Sequence, residues 1–289
     1  MFPSGWEVLL TLGKKLAKGI GQIEDVRHVS TEAAKTADQI PGRFNTTRWS
    51  MVLSCADSGI ESVAARDALS ELCKTYWRPI FAYICRRGYS TQDAEDLTQD
   101  FFASLLQGPL LERADPERGR FRALLLKALL DFLGHTREKL QTQKRGGGMK
   151  FVSWDDWIAE APSQLSFSAQ ALNSWSPEQL FDLRWAATVV EQALRRLREE
   201  CQSKGRLRLF ETLSLYLTTE REDVSYQNLA TTLGITESAV KKQLHNLRRR
   251  YRWLLYDEVE QTVENPSEVE GEIRHLCATL AAGAQAGEP

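Results

Sequence analysis

Seven side chains that could bind phosphate or read base edges recur at helical spacing late in the chain. They follow Glu237 on one side of a predicted helix, and they are Ser238, Lys241, Lys242, His245, Arg248, Arg249 and Arg252. Lysine and arginine on one helix face gain affinity for a nucleic-acid duplex by releasing its condensed counterions. The first turns of such a helix, including Glu237, can also reach base edges in a groove. The pattern predicts a DNA contact, and a solvated basic face is the alternative.

Two helices around a tight turn are predicted to position these side chains, within residues 224–255. Ser225 and Thr236 are expected N-caps of the two helices, and Gly234 supplies the permissive backbone of the turn. The second helix has an apolar stripe on another arc, formed by Val240, Leu244, Leu247, Tyr251 and Leu254. A helix that is buried on one side and cationic on the other suits a DNA groove.

A carboxylate-rich helix face lies much earlier in the chain. Its polar members are Asp93, Glu95, Asp96, Gln99 and Asp100. The opposite face is apolar and is predicted to be core, with Ala94, Leu97, Phe101, Phe102 and Leu105. Paired carboxylates can serve metal binding or acid–base catalysis, but no histidine or cysteine ligand is near in sequence. A solvated or partner-docking face is therefore favoured over an enzyme site, and no cofactor is expected.

A second basic segment follows, in which aromatic and cationic side chains alternate. Its candidate contacts are Arg120, Phe121, Arg122, Lys127 and Arg137. Single-stranded nucleic acids are held by such combinations, because bases stack on aromatic rings and cations follow the backbone. The alternative is that the phenylalanines are buried.

Composition limits the class of protein. The chain has 289 residues and a formal net charge of -2, but its basic residues concentrate in residues 118–150 and 241–252. Polarised charge of this kind suits a nucleic-acid partner despite the slightly negative total. The five cysteines are scattered without C-x-x-C spacing, which favours buried thiols in a reducing cytoplasm over a zinc site. No apolar run of membrane-spanning length and no secretory signal peptide is evident.

The predicted fold is all-α, with two helical domains joined by a linker. We divide the chain into an N-terminal extension (1–43), a first domain (44–146), a linker (147–177), a second domain containing the helix-turn-helix (178–257) and an acidic C-terminal tail (258–289). Within the tail, Ile273, Leu276, Cys277 and Leu280 have the spacing of a short amphipathic helix.

The order of these parts resembles the extracytoplasmic-function (ECF) group of bacterial RNA polymerase sigma factors. The resemblance covers roughly residues 44–255 and is carried by DAEDLTQDFF at Asp93–Phe102 and by LGITESAVKKQLHNLRRRYRWLL at the helix-turn-helix. FNTTRW, QKRGGG and PEQLFDLRWA are similar to a subgroup of these factors. The opening helix reads Phe121-Arg-Ala-Leu-Leu-Leu where members usually carry Trp and Tyr, so the identity of a strand-separating wedge stays open.

The resemblance implies a set of partners and sites. The Asp93 helix would dock on core RNA polymerase, the Arg120–Gln141 helix would open the minus-ten promoter element, and the helix-turn-helix would read the minus-thirty-five element. An anti-sigma factor is a further partner that the resemblance leaves open. The competing interpretations are a stand-alone helix-turn-helix regulator, which leaves the Asp93 helix unexplained, and a metal-dependent nuclease, for which no ligand set is present.

Overall fold

The computed structural model describes residues 63–107, 121–143, 175–217, 219, 222–263 and 266–285. Within these ranges the chain is helical and contains no strand, which confirms the all-α prediction for this part of the chain. The first part holds α1 (Val63–Arg86), α2 (Thr91–Gln107) and α3 (Phe121–Gln143). The second part holds α4 (Pro177–Ser203), α5 (Leu207–Leu213), a 3-10 helix (Ser214–Tyr216), α6 (Tyr226–Leu233), α7 (Glu237–Glu260), a second 3-10 helix (Pro266–Glu268) and α8 (Val269–Gln285).

Helix α4 lies at the centre of the described structure and is buried along most of its length. Its start is fixed by a capping box, in which Ser176 Oγ accepts from the Gln179 N–H at 3.2 Å and Gln179 Oε1 accepts from the Ser176 N–H at 2.9 Å. Pro177 occupies the first turn, where its missing N–H costs no helix hydrogen bond. The helix packs against α1, α7 and α8.

The buried residues on both sides of the predicted linker belong to one hydrophobic core. Helix α1, from the predicted first domain, packs along α4, from the predicted second domain, and polar side chains join the two helices. Gln192 Nε2 donates to Thr75 Oγ1 at 3.1 Å, Arg78 pairs with Glu191 at 2.7 Å, and the Tyr83 hydroxyl donates to Glu178 at 3.1 Å. The described parts of the two predicted domains therefore share an extensive interface.

Helix α3 is tied to the second part of the chain by Arg122, which is 9% exposed. Its Nε donates to Glu272 Oε1 of α8 at 2.7 Å, and Nη1 donates to the Asp182 carboxylate of α4. The guanidinium also lies 4.9 Å from the centre of the Trp185 ring, a cation–π distance. Burial lowers the pKa of Arg122, but the charges of Glu272 and Asp182 outweigh this effect and raise it.

The segment predicted as an acidic tail packs against the hydrophobic core. Helix α7 continues to Glu260, and its Asp257 and Glu258 each bind Nη1 of Arg196 at 2.7 Å. The predicted amphipathic helix forms as α8, where Leu276, Cys277 and Leu280 are buried and Ile273 is half-buried. The acidic residues of the segment hid this role, although the large apolar side chains of α8 lie on one face.

Four cysteines fall in the described residues, and all four are free thiols. Burial raises the pKa of Cys277 to about 12, and burial with the nearby Glu95 raises that of Cys85 to about 12. Because the thiolate is the reactive form, these two cysteines stay protonated and unreactive at neutral pH. Cys55 lies outside the described residues.

Gly234 joins α6 to α7 in a left-handed conformation, with φ of 68° and ψ of 33°. We expect Gly234→Ala to lower the free energy of unfolding by about 1–2 kcal/mol, because a Cβ is strained in that region even where space is open. Gly134 provides the control, since it lies inside α3 with nothing within 4 Å of an added Cβ. Gly134→Ala should stabilise by about 0.5–1 kcal/mol. Urea unfolding midpoints of both variants measure the contrast, and equal shifts would contradict it.

Candidate nucleic-acid interface

The α6–α7 helix pair is held by its turn and by the buried stripe that the sequence predicted. Thr236 Oγ1 accepts from the Ala239 N–H at 3.2 Å, which confirms it as the N-cap of α7. Ser225 precedes α6 as predicted but makes no side-chain capping bond. The stripe is buried at every position, namely Val240, Leu244, Leu247, Tyr251 and Leu254. This burial fixes which face of α7 points outward.

The outward face of α7 is cationic and accessible. Exposed side chains from the predicted set are Glu237, Ser238, Lys241, Lys242, His245, Arg249 and Arg252. Glu237 lies in the first turn, where its charge interacts favourably with the helix dipole. The remaining face carries four permanent positive charges, from Lys241, Lys242, Arg249 and Arg252, on little more than three turns of helix. Such a surface can bind a row of phosphates.

Two features of this surface were missed by sequence reasoning. The Lys241 ammonium lies 5.0 Å from the centre of the Tyr226 ring, so a cation–π contact from α6 holds part of the basic face in place. Ile235, in the turn, is 37% exposed and offers an apolar group beside the start of α7. The Tyr226 contact joins two helices and leaves no trace in the periodicity of either one.

Arg248 is not part of the accessible basic face, because its guanidinium binds backbone carbonyls within the fold. Nη2 donates to the Tyr216 carbonyl at 2.8 Å and to the Thr219 carbonyl at 2.5 Å, and Nε donates to Tyr216 at 3.3 Å. The Tyr216 carbonyl lies at the end of the 3-10 helix, where carbonyls lack partners within the helix. Helical spacing alone cannot separate an arginine that faces solvent from one that caps a neighbouring element.

Arg250 is a second arginine of α7 that binds within the fold. It lies outside the predicted basic arc, and its guanidinium binds Glu200 of α4 through Nε at 2.8 Å and Nη2 at 2.5 Å. It also stacks over the Trp253 ring at 4.1 Å. The α7 arginines thus divide between Arg249 and Arg252, which are exposed, and Arg248 and Arg250, which anchor α7 to the rest of the fold.

Adjacent arginines allow a direct test of this division. We expect Arg248→Ala to lower the free energy of unfolding by about 2 kcal/mol, since it removes charge-assisted hydrogen bonds to the Tyr216 and Thr219 carbonyls. Arg249→Ala should change it by less than about 0.5 kcal/mol, because Arg249 is exposed. Chemical denaturation of both variants provides the measurement. Similar losses in the two would show that the Arg248 contacts contribute little.

The carboxylate face of α2 is exposed, as predicted, at Asp93, Glu95, Asp96, Gln99 and Asp100. The opposite face is buried, also as predicted, at Ala94, Leu97, Phe101, Phe102 and Leu105. Phe102 stacks on Trp77 of α1 with ring centres 5.9 Å apart, which fixes the rotation of α2. Asp93 differs from the others, because Ser90 Oγ donates to its carboxylate at 2.7 Å and accepts from its N–H at 3.1 Å. Asp93 therefore also helps to start the helix.

At the first turn of α3 the structure matches the alternative left open by the sequence, in which Phe121 is buried. Phe121 is 1% exposed and packs edge-on against Tyr76 of α1, with ring centres 5.5 Å apart. Phe121 and Arg122 are thus inaccessible to a nucleic acid in this conformation, because the first packs in the core and the second is held by carboxylates. Lys127 is exposed. Arg120 and the side chain of Arg137 lie outside the described residues.

Among the described residues, no three His, Cys, Asp or Glu side chains come together in an arrangement that could hold a metal ion. No helix in the described ranges combines the length and apolar character needed to cross a membrane.

Comparison of the chain with protein-family models, with curated proteins and with solved structures finds no match. The activity of these surfaces must therefore be inferred from their own residues.

Proposed function

We propose that this protein is an RNA polymerase sigma factor of the ECF type, which binds core polymerase and directs initiation at specific promoters. The observation that carries the proposal is the presence, on one chain, of two exposed helix faces of opposite charge. The α2 face is acidic and the α7 face is basic. A sigma factor needs both, because it must bind a protein and a nucleic acid at the same time.

The α2 face has the properties of a docking surface. Its carboxylates are exposed while the apolar side of the helix is anchored in the core, so a partner can bind without disturbing the fold. Complementary basic groups on core polymerase would be steered to this face and then form charge-assisted hydrogen bonds with it. The likeness of DAEDLTQDFF to the polymerase-docking helix of the family supports the same partner.

The α6–α7 pair is proposed to be the helix-turn-helix that reads the minus-thirty-five element. Helix α7 would enter the major groove with its first turns, placing Glu237, Ser238 and Lys241 near base edges. Lys242, Arg249 and Arg252 would bind flanking phosphates, which fix register without reading sequence. A protein working on polymerase and promoter DNA would act in the bacterial cytoplasm.

Reconstitution with core polymerase tests the proposal. The purified chain should comigrate with core polymerase in size-exclusion chromatography and should support run-off transcription from a library of genomic fragments. A stand-alone regulator would bind duplex DNA without forming the polymerase complex, and a nuclease would cut the fragments. Either of these outcomes, without a polymerase complex, would refute the proposal.

Charge reversal on α2 separates docking from folding. We expect Asp96→Lys combined with Asp100→Lys to abolish polymerase binding at moderate salt, while stability changes by less than about 0.5 kcal/mol because both positions are exposed. Glu199→Lys combined with Glu268→Lys is the matched control, since it makes the same charge change at exposed positions outside α2. Normal binding by the folded α2 variant, or equal loss in the control, would contradict the assignment.

Alanine substitutions on α7 test the DNA face. Lys241→Ala, Lys242→Ala and Arg249→Ala should each weaken duplex binding. A phosphate contact should reduce the dependence of log affinity on log salt by about one unit, whereas a base contact should cost roughly 1–3 kcal/mol at one base pair. Fluorescence anisotropy across a salt series measures both quantities. Wild-type affinity and slope in all three variants would show that another surface binds DNA.

A further inference from the structure

The N–H donors of the Arg122 guanidinium form hydrogen bonds to carboxylates from the second part of the chain. Glu272 of α8 binds Nε at 2.7 Å and is fully buried, and Asp182 of α4 binds Nη1. His275, also on α8, lies 3.1 Å from Nη1 and 3.3 Å from the Asp182 carboxylate. One cationic side chain of α3 thus contacts both α4 and α8.

Carboxylate and phosphate compete for the same arginine geometry. The planar guanidinium presents parallel N–H donors that fit either oxyanion, and arginine is used in proteins for both. The Glu272 contact uses Nε and Nη2, the latter at 3.5 Å from Oε2, which is the edge that a bidentate phosphate contact would use. Binding of Arg122 to a nucleic-acid backbone and to Glu272 is therefore mutually exclusive.

Release of Arg122 concerns α3 and α8 and does not require α1 to leave α4. The α1–α4 contact belongs to the shared hydrophobic core and is reinforced by the ion pair of Arg78 with Glu191 and the hydrogen bond of Gln192 with Thr75. Domains joined by a large apolar interface do not move apart readily, so this contact persists. Phe121 also stays in place, because its partner Tyr76 belongs to α1.

We propose that α8 is a built-in competitor of single-stranded DNA, which holds Arg122 through Glu272 in a closed conformation and releases it when a strand binds. The inference rests on the proposed function and deepens it, because it concerns the regulation of the strand-binding helix α3. In the closed conformation Lys127 remains exposed, so a strand can make a first contact before Arg122 is free. Strand binding and α8 packing then oppose each other by thermodynamic linkage.

Weakening the Glu272 contact should therefore raise affinity for a strand. The apparent dissociation constant is the intrinsic constant divided by the fraction of open molecules, so a less stable closed form binds more tightly. We expect Glu272→Gln, which keeps the side-chain shape and removes its charge, to bind fluorescein-labelled oligothymidylate roughly tenfold more tightly than the wild type. The salt slope should become steeper by about 0.7, the value for one added phosphate contact on a single strand.

Glu200→Gln is the matched control, because Glu200 pairs with Arg250 of α7 entirely within the second part of the chain. It should leave oligothymidylate binding unchanged. Adding Arg122→Gln to Glu272→Gln should remove the gain, since Arg122 is the released group. No gain in a folded Glu272→Gln variant, an equal gain in Glu200→Gln, or a gain that persists without Arg122 would each overturn the inference.

Hydrogen exchange of the unmodified full chain gives a second measurement that does not depend on how any variant folds. Amides of α8 should exchange faster when oligothymidylate is added, and unchanged α8 exchange in the bound protein would overturn the inference. Absence of oligothymidylate binding in every form would overturn it as well. Failure of the proposed function is a separate result, because polymerase complex formation depends on the α2 face and is measured without a strand.

Discussion

Helix α4 is enclosed by neighbours along most of its length, so its longer polar side chains depend on those neighbours for hydrogen-bond partners. Several neighbours supply them. Helix α1 supplies Thr75 for Gln192, and α7 supplies Asp257 and Glu258 for Arg196. Asp182 is bound by Arg122 of α3, and although burial raises its pKa, hydrogen bonds from His275 and Arg122 lower it overall.

The same constraint decides which charged residues remain available to partners. A guanidinium that satisfies a buried carboxylate or a helix carbonyl is unavailable to other ligands, and Arg122, Arg196, Arg248 and Arg250 are used in this way. The lysines of the α7 face lie on the outside and have no such role. The basic surface is therefore smaller than the count of basic residues in α7 indicates, and its permanent charge is divided equally between two lysines and two arginines.

Sequence periodicity predicted the faces of single helices but not the contacts between helices. It predicted both faces of α2 and the buried stripe of α7, because each follows from the 3.6-residue repeat of one helix. It could not assign Arg248 or Arg122, since the partners at Tyr216 and Glu272 are 32 and 150 residues away along the chain. One signal was present and went unused: apolar residues such as Leu180, Trp185 and Val189 lie all around α4, which is typical of a helix surrounded by protein.

Helix α7 is one uninterrupted rod from Glu237 to Glu260, about 36 Å long at 1.5 Å per residue. Its buried stripe runs from Val240 in the second turn to Leu254, and its last turns are fixed to α4 by the paired contacts of Asp257 and Glu258 with Arg196. The helix is therefore held along its length, and it acts as a splint for the side chains on its outer face. Lys241 and Arg252 are kept about 16 Å apart along the axis, because eleven residues separate them at about 1.5 Å each. A ligand of the basic face must match this fixed spacing, since the helix cannot bend to follow the ligand.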